Sequence, residues 1–225
     1  MTMIKLDSID RQQALRYLSY KSGEISAAAR ELLDSCEKEI LAAVSPAYSY
    51  RYFDLAMDAP DTVDLGGMLN LRSNALYEHL KGCSVAAVMC VTLGAAADTL
   101  IRRAQITDMA KAVIFDAYGS SAVEQCADIV QEMISGENPS HSLTLRYSPG
   151  YDDLSLDYQQ GLLDITNAGK RTGMTVTAGG LLAPMKSITA IIGISDAEIA
   201  PKHRDCSVCR AKESCAMRQR GIHCG

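Results

Sequence analysis

Two nearly unbroken apolar runs constrain this chain more than any other feature. Residues Ser84 to Leu93 carry Val85, Val88 and Val91 with no polar alternation, and Ser187 to Ile194 reads SITAIIGI. A strand with one face in water alternates apolar and polar residues. A run without alternation, bounded by turn residues, suits a strand buried on both faces. Pro184 precedes the second run and Gly94 follows the first. Hydrophobic residues make up 48% of the 225 positions, so a core can form around these strands without disulfide or metal support.

The segments between them read as a mixture of helices and short strands. Asp10 is placed to cap a helix over Arg11–Tyr20, and the spacing of Leu32, Leu33, Cys36, Ile40 and Leu41 predicts a longer one over Ile25–Val44, closed by Pro46. Tyr48–Met57 is aromatic-rich and reads as a strand, with turns at Pro60, Gly66 and Gly67 around a second short strand. Ser73 caps a helix over Asn74–Lys81 that Gly82 stops. Gly94 leads into a helix through about Arg103, and the longest helix is expected over Thr107–Ser135, before Gly136 and Pro139.

The last third predicts a strand over Ser142–Tyr147, a loop over Ser148–Asp153 and a helix over Leu156–Lys170. A short strand over Met174–Thr177 and a Gly179–Gly180 turn then lead to the second apolar run. Lacking the regular rhythm of a doubly wound sheet, this order is α+β: a twisted, mostly antiparallel sheet with flanking helices and a helical N-terminal segment. The expected organisation is a helical segment over residues 1–46, a central ligand-binding unit over 47–200 and a Cys-rich tail over 201–225, the whole forming one compact domain.

Charge and motif content remove several classes of function. A net charge of −5 leaves no surplus of cations to displace the counterions of a nucleic acid. The longest apolar stretch is about half the roughly 18 residues of a membrane span. The N-terminus lacks a signal-peptide core, so the cytoplasm is the expected location. No Ser-His-Asp order, nucleophile elbow, Walker loop or dinucleotide-binding glycine pattern is present.

Residues 146–151 read Arg-Tyr-Ser-Pro-Gly-Tyr, followed by Asp152, Asp153 and Leu154. Met174-Thr-Val-Thr comes next, and then Pro184-Met-Lys-Ser187-Ile-Thr-Ala190. A planar guanidinium at Arg146 can hold a carboxylate through two parallel hydrogen bonds. Pro149 stiffens the loop, Gly150 permits a close backbone approach, and Tyr151 offers a ring face to a cation. An isolated Arg-x-x-x-Gly-Tyr is a weak signal, but its order with the downstream segments is specific.

This ordered set resembles the activation domain of cobalamin-dependent methionine synthase, and its free-standing bacterial members most closely. The motifs cover about a fifth of the chain. The resemblance implies a groove for S-adenosylmethionine containing Arg146, Pro149, Gly150 and Tyr151. It also implies two acidic positions, Asp54 and Glu124, of which the first faces the ligand's ammonium. Ile191, Ile192 and Gly193 stand where the fused enzyme has aromatic residues, leaving backbone contacts to the adenosyl group. The implied role is reactivation in methionine biosynthesis: a one-electron donor such as a flavodoxin reduces cob(II)alamin on a partner methyltransferase, and S-adenosylmethionine supplies the methyl group. Positioning is the protein's task in such a step, which explains the missing acid–base pair.

The C-terminus carries Cys206-x2-Cys209-x5-Cys215-x8-Cys224 beside His203 and His223. Four thiolates at this spacing are compatible with zinc or with an iron–sulfur cluster, and equally with a reduced tail. Cys36, Cys83, Cys90 and Cys126 sit singly in apolar patterns, as buried thiols do. An alternative function is a non-catalytic scaffold that binds S-adenosylmethionine and senses redox state through a metal–thiolate tail.

Overall fold

The computed structural model describes residues 4–20, 25–199 and Glu213. Its elements begin with helices α1 (Arg11–Tyr17) and α2 (Ala27–Ala43), strands β1 (Ala47–Ala56), β2 (Thr62–Leu65) and β3 (Leu69–Arg72), and helix α3 (Asn74–Leu80). Strand β4 (Val85–Thr92), helices α4 (Ala95–Thr107) and α5 (Met109–Glu137) and strand β5 (Ser142–Leu143) follow. A 3-10 turn (Leu156–Tyr158) leads to α6 (Gln159–Thr166), α7 (Ala168–Thr172), β6 (Thr175–Val176), β7 (Leu182–Ala183) and β8 (Ser187–Ser195). The fold is α+β, as the sequence implies.

Six strands form one sheet in the order β3-β2-β1-β4-β8-β5, and every pairing is antiparallel. The two apolar runs are its central pair, registered from Val85↔Ile194 to Thr92↔Ser187. Their side chains divide between two cores. Ala87, Met89, Val91, Ile192 and Ile194 face Leu33, Ile40, Ile101, Phe115 and Tyr118 of the α2, α4 and α5 layer. Ala86, Val88 and Ile191 face Leu76, Leu80, Leu162 and the β2–β3 hairpin. Burial on both faces is why neither run alternates, and each fully enclosed Leu or Ile contributes roughly 1.5–3 kcal/mol. Ala14, Leu33, Cys36 and Ile40 of the N-terminal helices join the first core. Arg11 ties α1 to α2 through Asp34 and Glu37, at 2.6 Å each.

Four details differ from the sequence expectation. The single strand expected near Gly66 is a hairpin, β2–β3, turned at Gly66 and Gly67. The strand expected over Ser142–Tyr147 keeps only β5 and an isolated Tyr147↔Ile191 bridge. There the Leu145 carbonyl turns to His79 Nε2, 2.8 Å away. The helix expected over Leu156–Lys170 breaks at Asn167, whose φ is +56°. The Thr166 carbonyl is taken by the Ser49 hydroxyl at 2.7 Å. Helix α5 passes through Gly136 to Glu137, whose carboxylate accepts from Tyr50 and Tyr52 of β1 at 2.6 Å each.

Candidate functional site

Among the described residues, antiparallel pairing leaves one stretch of β8 without a strand beside it. Tyr147 exchanges both backbone hydrogen bonds with Ile191, at 2.9 and 2.8 Å, and from there the chain leaves the sheet in the 148–155 loop. The edge of β8 before Ile191 faces a groove lined by Arg146, Ser148, Pro149 and Tyr151 of that loop. Ser187, Ile188 and Thr189 of β8, Gln159 of α6, Leu182 of β7 and Glu124 of α5 complete it. Successive strand residues point their backbone groups to opposite edges. The Thr189 amide and carbonyl, two residues before Ile191, therefore face the same edge and the groove.

The loop is held from three directions. Gly150 has φ +93°, in the left-handed region, and a Cβ there would meet Leu156 at 3.2 Å. Its amide donates to the Leu154 carbonyl at 2.8 Å, so this glycine serves the turn and the Leu156 contact. Asp153 accepts from the Ser73 hydroxyl and from the Asn74 and Ala75 amides at 2.9 and 3.2 Å. That fastens the loop to the start of α3. The Tyr151 ring packs edge-on against Tyr147 with 5.8 Å between centroids, and Tyr147 donates to Asp152 at 2.9 Å.

Arg146 supplies the cation of the groove and reaches α5. Its Nη2 lies 3.0 Å from Glu124 Oε2, while Nη1 donates to Asp128 at 2.7 Å and to Gln131 at 3.0 Å. The three partners lie on one face of α5, at spacings of four and three residues. The Arg146 side chain is 19% exposed against 60% for Asp128, so Glu124 and Arg146 form the inner pair and Asp128 the outer one. Tyr17 of α1 stands close by. Burial, with Glu124 and Tyr151 adding to it, raises its phenol above the usual tyrosine value.

Of the residues singled out in the sequence, Arg146, Pro149, Tyr151 and Glu124 line this one groove, and Gly150 shapes its loop. Three others lie elsewhere. Asp54 pairs with Val85, at the end of β4 opposite Thr92, which pairs with Ser187. Seven residues of strand separate those ends, roughly 23 Å. Ile192 is fully buried in the helix-side core. The Gly193 amide and carbonyl are both engaged by Thr144, at 2.8 and 2.9 Å, and its Cα is walled in by Cys83, Leu80 and Thr144. The part of β8 that borders the groove is Ser187–Thr189, four residues earlier.

Cys206, Cys209, Cys215 and Cys224 lie outside the described residues. Among the described residues no group of three or more His, Cys, Asp or Glu side chains is arranged to hold a metal ion. No described helix is long and apolar enough to cross a membrane.

Sequence reasoning missed Gln159, Thr189, Asp128 and Gln131. Asp128 and Gln131 carried a usable signal, since they lie one and two turns beyond Glu124 on a helix already identified. Gln159 carried none. It reaches the groove because the 3-10 turn ahead of α6 sets the helix start against β8.

The chain ahead of Ser187 is also fixed to the helices. Lys186 lies 2.8 Å from Asp116 and 2.9 Å from the Ser120 hydroxyl, and packs over Gly119 at 3.1–3.3 Å from a Cβ position there. The Met185 amide donates to Asp98 at 2.7 Å. These contacts set the height of Ser187 against α5, and so the width of the groove between Thr189 and Glu124.

No family model matches this sequence, and no curated protein matches it significantly. The fold is similar to that of the MetH reactivation domain, whose crystal structure holds AdoHcy. The TM-score is 0.62 over 95% of this chain and 82% of that one, with 14% identical residues.

Proposed function

We propose that this chain binds S-adenosylmethionine in the Arg146–Tyr151 groove. In this reading it is an activation subunit that supports reductive methylation of cob(II)alamin on a partner protein. The partner is a cobalamin-dependent methionine synthase or a related corrinoid methyltransferase, with a flavodoxin-like or other one-electron donor as reductant.

The observation that carries the proposal is the Arg146–Glu124 pair inside a groove bordered by an unpaired strand edge. An amino-acid zwitterion matches that pair: its carboxylate takes the place of Glu124 at Arg146, and its ammonium takes the place of Arg146 at Glu124. The exchange leaves the local charge balanced, which a lone anion or cation would not do. The fold likeness to a domain crystallised with AdoHcy and the ordered motifs support the same ligand.

S-adenosylmethionine, when bound, supplies a methyl group activated by its sulfonium. The chain's own residues hold and orient it. Arg146 and Glu124 anchor the amino-acid end, Tyr151 presents a ring beside the cation, and the β8 edge offers its amide and carbonyl to the adenosyl end. No proton moves in this role, so the groove requires no acid–base pair. Action as a separate chain belongs to the same proposal.

Anaerobic mixing with a cobalamin-dependent methionine synthase that lacks an activation domain of its own, a one-electron donor and S-adenosylmethionine tests it. Conversion of the cob(II)alamin spectrum to that of methylcobalamin should need the chain and should fail with Arg146→Ala. Equal conversion without the chain removes the proposal. For the tail, the proposal of bound zinc or a cluster rests on the Cys-x2-Cys spacing, and metal and labile-sulfide analysis of anaerobically purified protein tests it.

A further inference from the structure

We infer that Gln159 reads the base of the bound ligand by donating its side-chain NH2 to an acceptor nitrogen of a purine ring. The inference deepens the S-adenosylmethionine-binding reading and rests on it.

Gln159 is only 6% exposed and Thr189 1%. The Thr189 hydroxyl donates to Gln159 Oε1. That bond occupies one of the two lone pairs of the amide oxygen and fixes its orientation, so the NH2 is the group left to face outward. No other hydrogen bond of the Gln159 side chain occurs among the described residues. The enclosed side-chain nitrogens and oxygens without partners in that set are Asp98 Oδ1 and Tyr118 Oη. The Gln159 Nε2 is therefore not enclosed, and it opens on the groove that its residue lines.

The groove thus has two chemically different ends. Arg146, Glu124 and Asp128 make one end fully charged. At the other end the Gln159 amide and the backbone amide and carbonyl of Thr189 are neutral donors and acceptors. A charged group there would meet no counter-ion, whereas a neutral heteroaromatic ring finds partners for both its ring nitrogens and its amino group. Leu182, Ile188 and Pro149 line the same groove and offer apolar surface to the ring faces. The side chain is largely buried but its NH2 keeps access to the groove, and a ring nitrogen seated there would take the donor that no described residue accepts.

The test compares two ligands that share the homocysteine and ribose parts and differ in the base: S-adenosylhomocysteine and S-ribosylhomocysteine. Calorimetric titrations use the full chain, Gln159→Glu and Gln159→Met. Glutamate keeps the acceptor for Thr189 and removes the donor; methionine keeps the length and removes both. Both variants should weaken S-adenosylhomocysteine roughly tenfold and leave S-ribosylhomocysteine unchanged. Unchanged binding of both ligands, or equal weakening of both, overturns the assignment of base reading to Gln159. If the unsubstituted chain binds neither ligand, the groove reading itself fails and this inference with it. Arg146→Ala separates the two ends further, because it should weaken both ligands alike.

Discussion

The Arg146 guanidinium and the Glu124 carboxylate face each other at 3.0 Å across the groove, one on the loop after β5 and the other on α5. Asp128 and Gln131 also hold Arg146, both through Nη1, so removing one carboxylate does not strand the cation. Glu124→Gln should therefore change the unfolding free energy by less than about 1 kcal/mol. The same change should weaken S-adenosylhomocysteine roughly tenfold, because the ligand's ammonium loses its inner counter-charge. Denaturant melts and calorimetry on one preparation check both halves.

The loop carrying Tyr151 should loosen in acid before the sheet does. Partial burial opposes the charge on Asp153, but the Ser73 hydroxyl and the Ala75 and Asn74 amides outweigh it and hold the carboxyl below its usual range. A carboxyl depressed in the fold contributes stability that is whole above its unfolded value, about 4, and lost as pH falls through the folded value. Asp153→Ala should cost about 1 kcal/mol at neutral pH. Below pH 3 the difference from the unsubstituted chain should shrink. Paired urea melts at pH 7 and at about pH 2 measure this.

Gly193 is a packing requirement rather than a ligand contact. A Cβ there would lie 2.6 Å from Cys83 Sγ, 2.8 Å from Leu80 Cδ2 and 3.1 Å from Thr144 Cγ2. Gly193→Ala should destabilise the fold by about 1–3 kcal/mol. Because the groove lies four to six residues earlier on β8, ligand affinity at low temperature should be nearly unchanged. A loss of affinity with unaltered stability would reverse the assignment.

Three thiols are buried: Cys36, Cys90 and Cys126. Burial raises Cys36 to about 11 and Cys90 and Cys126 to about 12. Below the unfolded thiol value, about 8.5, both states are protonated and the contribution is constant. As pH rises from there towards the folded values only the unfolded chain ionises, so stability falls. Native protein at pH 8 should leave these three cysteines unalkylated, by peptide mapping. The urea midpoint should drop between pH 8.5 and pH 10.

Much of the scaffold was legible because it follows from local patterns. The two apolar runs are the two strands with both faces covered. Asp10 and Ser73 cap α1 and α3 as read, each accepting from backbone amides of the first turn. The loop begins at Ser148 as Pro149 and Gly150 suggest, but it runs to Ser155, two residues past the expected end at Asp153. What was not legible depends on distant elements. The break at Asn167 follows from a hydroxyl on β1, 117 residues away from Thr166.

The motif resemblance implies groove positions for Asp54 and Ile192–Gly193, and strand register carries them elsewhere. Position along an antiparallel strand decides which end of the sheet a residue reaches, and a motif does not encode it. Gln159 enters only through its meeting with Thr189, a pairing across 30 residues.

The most direct test of the account is a calorimetric titration of S-adenosylmethionine into the purified chain, beside Arg146→Ala. Saturable binding at one site, lost or weakened at least tenfold in the variant, is the expected result. Binding of equal strength to both proteins would place the ligand outside the Arg146 groove and contradict the account.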